Sequence, residues 1–186
     1  AGRYSVLFLS LEPYSGFENL LSCSFERNLG DLFYCIRQKN GQPAVQLAAM
    51  VREAGGLHYV PPVITPEDVE QITREEWQML FEELRLYSGY QVIILDFGTG
   101  VSQAPGLLEE CSRIYTPVLQ DPVSAAKMGQ YEAWLESAGK GDVLARTEKL
   151  TLPPVAEKGE DPWPECLAGG RFGDHVRKLV RDGDIF

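Results

Sequence analysis

Short apolar runs alternate along this chain with longer stretches of helical periodicity. Val6 to Leu11 is an apolar run interrupted only by Ser10, and Val92 to Leu95 is an uninterrupted one. Such runs are typical of strands buried on both faces of a parallel sheet. Weaker strand patterns cover residues 57–60, 113–119 and 144–152. We therefore predict five strands, with the one at Val92 in the centre of the sheet.

Helical spacing fills the segments between the strands. Leucine, phenylalanine and isoleucine recur at positions 29, 32, 33 and 36, and Pro43 suits the first turn of a second helix that carries Val45, Leu47 and Met50. Thr65 before Pro66, and Thr73 three residues before Glu76, are start signals of two more helices. The helix after Thr73 should bury one stripe, formed by Trp77, Leu80, Phe81 and Leu84.

The second half of the chain continues the alternation. A helix is predicted over residues 122–137, with Ala126, Tyr131 and Trp134 as packing residues, and an amphipathic helix over 171–182. Residues 155–170 are rich in proline, glycine and acid and are predicted to form a loop. The pattern as a whole predicts a single α/β domain over residues 1–186, with a mostly parallel sheet covered by helices on both faces.

Charge and cysteine content narrow the function classes. The formal net charge of −10 disfavours binding to nucleic acid or anionic lipid, because the mean field repels phosphate. The four cysteines are widely separated and have no zinc-site spacing. No run approaches the roughly 20 apolar residues of a membrane span. We therefore expect a cytoplasmic protein with reduced thiols that binds neither nucleic acid nor a membrane.

Two predicted strands end in carboxylates. The first strand delivers Ser10 and Glu12 into a loop, and the strand at Val92 delivers Asp96 into the sequence DFGTG, which contains Gly98 and Gly100. Ligands of parallel sheets bind at the carboxyl ends of strands, and glycines allow close backbone approach. An apolar run that ends in aspartate is typical of a Walker B strand, which holds Mg²⁺ beside nucleotide phosphates. The alternative is that Asp96 only caps the turn that follows it.

A phosphate-binding P-loop, GxxxxGK[ST], does not occur in the sequence. The one Gly-Lys pair, Gly139-Lys140, has Trp134 five residues before its glycine and is followed by Gly141. Its expected role is to end the preceding helix.

The order of these motifs resembles the MinD/ParA family of P-loop ATPases, including its CpaE-like members with an AAA/CobQ-type nucleotide-binding domain. The segment from Ser5 to Glu12, SVLFLSLE, is similar to the family's second strand, and the DFGTG segment is similar to its DxxxG switch II. Residues 114–127 resemble the strand and helix that follow switch II, and residues 150–154, LTLPP, resemble the strand end that lines the adenine pocket. The resemblance implies a Rossmann-like, three-layer P-loop NTPase fold without its first strand and P-loop.

The same resemblance implies roles for single residues. Glu12 corresponds to the switch I carboxylate that positions the attacking water, and Asp96 to the aspartate that contacts the magnesium shell; these are the candidate catalytic residues, with Asp96 also the metal residue. Gly98, Gly100, Pro153 and Pro154 are the candidate nucleotide-binding residues. Ser10 stands where many members have a further aspartate. ATP and Mg²⁺ are thus implied by the family, and none is predicted to bind the isolated chain.

Two functions remain open at this point. The first is a MinD/ParA-like regulatory or positioning domain that dimerises or binds a protein partner, and that hydrolyses ATP only with a P-loop upstream of this chain. The alternative is a non-catalytic scaffold in a signalling or pilus-type assembly. Glu12 and the DFGTG motif favour the first, whereas Ser10 and the missing P-loop favour the second. The basic and apolar faces of the last helix would also suit a membrane, although packing of this helix on the domain is expected. Trp163 could fill a groove or face a partner.

Overall fold

The structure is a computed structural model that describes residues 4–38, 43–98, 104–154 and 165–182. These residues form two compact units that divide between Ala104 and Pro105. The strands are β1 Val6–Ser10, β2 Arg52–Ala54, β3 Leu57–Val60, β4 Val92–Asp96, β5 Ile114–Pro117 and β6 Thr147–Leu150. The helices are α1 Phe17–Leu21, α2 Leu29–Gln38, α3 Pro43–Met50, α4 Pro66–Glu70, α5 Arg74–Tyr87, α6 Ala104–Glu110, α7 Pro122–Ser137, α8 Gly141–Ala145, α9 Glu165–Ala168 and α10 Gly170–Asp182.

The first unit is built on a four-stranded sheet in the order β2-β3-β1-β4. β1 pairs in parallel with β3 on one side and with β4 on the other. β5 and β6 form a parallel pair in the second unit. The predicted α/β fold with a mostly parallel sheet is confirmed, and the single-domain assignment stays a prediction.

β1 is the buried centre of the described sheet, with Leu7 and Leu9 at most 1% exposed. The prediction that the strand at Val92 is equally buried is wrong. Ile94 is 43% exposed, and its apolar neighbours on β4 are only partly covered. The reason is its position, because within the described residues β4 pairs with β1 alone and forms the edge of the sheet.

Helices α2 and α5 pack against each other and bury the stripes that their periodicity predicts. The four apolar residues predicted for each helix are the ones it buries, and Phe33 packs edge-on against Trp77. The predicted capping box of α5 is present, since Thr73 and Glu76 each bond to the other's backbone amide. Arg37 of α2 donates to the same Glu76 carboxylate and ties the two helices together. In α3, by contrast, Val45 is 57% exposed and is not a packing residue.

The sequence did not reveal the β2–β3 hairpin. Its two-residue turn is Gly55-Gly56, with φ angles of +55° and +81°, a conformation that glycine adopts without strain. Arg52 and Glu53 on β2 are exposed, so this strand lacks the apolar run by which the other strands of the sheet were recognised. A short polar edge strand protects the sheet from further pairing on that side.

The second unit packs around Ile114, Leu135 and Val143. The predicted bounds of α7 are correct, and of its three predicted packing residues Tyr131 packs against this core whereas Ala126 and Trp134 do not. Met128 and Leu135 are the buried positions, whereas Trp134 is 43% exposed. The last predicted strand is shorter than expected because α8 occupies its first residues.

The segment predicted as a loop over residues 155–170 is also partly wrong. Residues 155–164, including Trp163, lie outside the described residues, and the remainder contains α9. α10 follows at Gly170 and matches the predicted amphipathic helix, with its apolar residues half-buried. None of the helices in the described part of the chain is both long and apolar enough to cross a membrane.

Candidate functional site

The carboxyl ends of β1 and β4 lie side by side. In the parallel register Ser10 is opposite Asp96, and the Leu11 amide donates to the Asp96 carbonyl at 2.9 Å. The two apolar runs that end in carboxylates are therefore neighbours in the sheet. This edge of the sheet is where ligands of open parallel folds bind.

Ser10 is the centre of the hydrogen bonds at this edge. Its side chain is 1% exposed, and its hydroxyl donates to the Asp96 Oδ2 at 2.9 Å. The same hydroxyl accepts from the Glu12 amide at 3.3 Å. A buried serine with both donor and acceptor capacity in use orients the exposed Asp96 carboxylate and the start of the loop after β1.

The Glu12 side chain lies directly against Gly98. A methyl group added to the Gly98 backbone would overlap both the Glu12 carboxylate carbon and its Oε2, and would be 2.8 Å from Oε1. Gly98 is not among the described glycines with positive φ, so its backbone does not itself require glycine. The space taken by the carboxylate is what excludes a side chain there.

The structure thus brings together Glu12, Asp96 and Gly98, three of the residues that the sequence singled out. Pro153 and Pro154 belong to the second unit, where they follow the carboxyl end of β6. Gly100 lies outside the described residues, as does the turn that Asp96 would cap in the alternative interpretation. Sequence reasoning missed the role of Ser10 as the hydrogen-bonding partner of Asp96, although a hydroxyl within an apolar strand was the available signal.

The loop after Glu12 lines a half-open pocket of about 280 Å³ together with residues 62–64. Tyr14 and Ile64 are among its lining residues and are 73% and 59% exposed, and the Tyr14 amide donates to the Ile64 carbonyl at 3.1 Å. Tyr14 has a φ of +56°, an uncommon conformation for a residue with a bulky side chain. The loop that carries Glu12 is therefore held in a strained conformation by its contact with the loop after β3.

The candidate metal ligands among the described side chains at this edge are carboxylates. Within the described ranges, no group of three or more histidine, cysteine, aspartate and glutamate side chains could hold an ion. Mg²⁺ keeps several waters and is commonly bound through one or two carboxylates together with substrate phosphates. Asp96 and Glu12 are carboxylates of the kind that such a site uses. Within the described residues, Ser10 bonds to one oxygen of the exposed Asp96 carboxylate and leaves the other free.

The Gly-Lys pair has the structural role that its sequence predicts. Gly139 has a φ of +71° directly after α7, and the Lys140 amide bonds back to the Leu135 carbonyl. The Lys140 ammonium is paired with Glu109. This lysine is engaged in the second unit and ends a helix, as expected of a glycine C-cap.

Comparisons with known proteins agree with this arrangement. No protein-family model and no curated protein matches the sequence. Among solved structures, a ParA family ATPase from Chlorobium tepidum has a TM-score of 0.64 at 19% identity, covering 84% of this chain and 64% of its own. The MinC:MinD cell division complex of Aquifex aeolicus has a TM-score of 0.55 at 16% identity, covering 82% of this chain and 57% of that one.

A protein from Corynebacterium diphtheriae is similar at a TM-score of 0.54, with 15% identity over 77% of this chain and 60% of its own. The chain therefore spans about three fifths of the length of the structures it resembles. Identities this low establish the fold alone. Together with the parallel sheet and its order of elements, they show that this chain has the fold of the MinD/ParA-like P-loop ATPases.

Proposed function

We propose that this chain is the part of a MinD/ParA-like regulatory or positioning domain that supplies the magnesium side of a nucleotide site. The observation that carries the proposal is the Ser10 to Asp96 hydrogen bond, which fixes a Walker B-type carboxylate at the end of β4. Glu12 lies on the adjacent strand end, where a carboxylate can orient a water next to the bound cation. The two carboxylates cannot bind phosphate by themselves, because carboxylate and phosphate groups are both negatively charged.

The missing part of such a site is a set of phosphate-binding amides and a lysine. Among the described residues β4 has no second pairing partner, and this edge supports the proposal that a further strand, carrying a P-loop from outside these 186 residues, pairs there. Val92 to Leu95 have the composition of a central strand, and no lysine or proline protects this edge. Hydrolysis of ATP in this proposal requires that strand.

The partner of the domain is proposed to be a second copy or another protein. The solved MinD relative is a complex with MinC, which supports a protein partner for a domain of this fold. The cysteines in the described residues are free, which suits a reducing, cytoplasmic compartment. The net charge of −10 supports a partner other than nucleic acid.

Calorimetric titration with Mg²⁺-ATP tests the proposal. The 186-residue chain is expected to show no binding tighter than about 10 μM, because nothing offsets the phosphate charge. The complete product of the gene is expected to bind in the micromolar range or tighter, and Asp96→Asn to weaken that Mg²⁺-dependent binding by about tenfold or more. Asp142→Asn, an exposed carboxylate in the second unit, is the control and should have no effect.

The second candidate, a non-catalytic scaffold, is favoured by Ser10, which places a buried hydroxyl where the resemblance to the MinD/ParA family implies an aspartate in many members. In that case the complete protein binds no nucleotide, and Asp96→Asn leaves its affinity for the protein partner unchanged. Binding of Mg²⁺-ATP that is insensitive to Asp96→Asn would contradict the leading proposal and the scaffold alike.

A further inference from the structure

Gly98 differs from the other described glycines in what surrounds it. Most of them face open space at the position of a Cβ atom or have a positive φ, and at the two exceptions, Gly30 and Gly173, the nearest atom belongs to a residue at most five positions away in the chain. Gly98 has neither property, and the position of its missing side chain is filled by the carboxylate of Glu12, which is 86 residues away in the chain. The contact joins the loop after β1 to the loop after β4.

We propose that Gly98 is a positioning residue. Its lack of a side chain leaves a space, called the seat below, that fixes the Glu12 carboxylate beside Asp96. This inference rests on the function proposed above, and it adds a residue whose effect is exerted through Glu12. Glu12 is only half-buried, and its amide is held by Ser10, so its main chain is fixed while its side chain keeps several rotamers. The seat against Gly98 selects one of them.

Among the described residues near the Glu12 carboxylate, Gly98 is the one that selects its position. The Ser10 hydroxyl is already used by Asp96 and by the Glu12 amide, so it is not available to the carboxylate. Alanine at position 98 is compatible with the backbone, since no positive φ is required. An added methyl group would therefore displace the flexible end of Glu12 and leave the sheet in place.

A positioning role of Gly98 and a structural role have different consequences on substitution. Replacing a glycine that the fold needs lowers stability, whereas Gly98→Ala is expected to change the unfolding equilibrium constant by less than about threefold, because the end of a half-exposed side chain gives way. The Glu12 carboxylate, in contrast, should leave its place. The first measurement is a proton NOE between Gly98 Hα and Glu12 Hγ in the wild-type chain, which should be present, and its absence would overturn the inference.

The second measurement uses Mn²⁺ as a paramagnetic substitute for Mg²⁺ on the complete product of the gene with ATP bound, since no metal ion is expected to bind the 186-residue chain alone. Wild type should show broadening of the Glu12 and Asp96 amide signals. Gly98→Ala should keep the broadening at Asp96, lose it at Glu12 and weaken the apparent Mn²⁺ affinity by about tenfold. Gly98→Ala combined with Glu12→Asp should restore both, because the carboxylate is one methylene shorter and clears the methyl group.

Gly129→Ala is the matched control. Gly129 lies within α7, with no atom within 4 Å of the added methyl group, so the same exchange should leave Mn²⁺ broadening unchanged. An unchanged Mn²⁺ response in Gly98→Ala, or no recovery with Glu12→Asp, would overturn the positioning role. If wild type shows no broadening while the NOE is present, the seat stands and the metal part of the proposed function fails.

Discussion

Replacing Ser10 with alanine removes the hydroxyl that joins the two strand ends. The bond to Asp96 has a charged acceptor, and such bonds contribute about 1.5–3 kcal/mol. Asp96 is exposed and regains water when the bond is lost, so the lower end of that range applies. The Glu12 amide loses its partner at the same time. We expect Ser10→Ala to lower the free energy of unfolding by about 1.5 kcal/mol, equal to roughly a tenfold change in the equilibrium constant.

Urea denaturation followed by the fluorescence of Trp77 measures this effect. Trp77 is 1% exposed in the first unit, and replacing Trp134 and Trp163 with phenylalanine leaves it as the single reporter. Asp96→Ala and the double variant complete a cycle in which a coupling of about 1 kcal/mol is expected. Ser137→Ala, whose exposed hydroxyl bonds only to the nearby Trp134 carbonyl, is the control. A Ser10→Ala variant within 0.5 kcal/mol of wild type, or a cycle without coupling, would refute the reasoning.

Three further predictions concern other parts of the fold. The hydrogen bond from Arg37 lowers the pKa of Glu76 below its ordinary value of 4.5, so this group contributes stability above that pH and loses it as the pH falls through the folded-state value. Glu76→Gln should therefore lower the free energy of unfolding by about 1 kcal/mol at pH 7, and its urea midpoint should converge with that of wild type as the pH falls below the lowered pKa of Glu76; a constant difference would contradict the linkage. Cys23 is exposed, whereas burial raises the pKa of the Cys111 thiol, so peptide mass spectrometry after brief iodoacetamide treatment at pH 8 should find Cys23 modified first and Cys111 last. Ile94→Lys places a charge on β4, the edge strand of the described sheet, and should lower the average mass found by light scattering at high concentration; an unchanged mass would show that this edge does not drive self-association.

The sequence was most informative where one physical signal dominated. The apolar run before Asp96 and the run before Glu12 predicted two strands, and parallel pairing was enough to place both carboxylates at one edge. The capping box at Thr73 located the start of α5 because two side chains and two amides satisfy one another locally. In each case the information lies within a few consecutive residues.

The errors arise where the environment depends on distant parts of the chain. Trp134 has helical spacing, but α7 buries Met128 and Leu135 instead, since side-chain direction and neighbouring elements decide which stripe is covered. The exposure of Ile94 depends on what pairs with β4, which a local pattern does not contain. The seat of Glu12 at Gly98 was also missed, because a glycine in a loop has the same appearance whether it serves a turn or a close approach.

The separation of 86 residues between Ser10 and Asp96 has a consequence for the order of folding. Helix starts such as the one at Thr73 can form early, because their contacts are local, whereas pairing β1 with β4 must first close a loop that contains most of the first unit. The site is therefore among the last features to form as the chain folds and among the first to be lost when any intervening segment is cut or misfolded. A ligand that recognises both strand ends would bind only chains whose first unit has folded to completion.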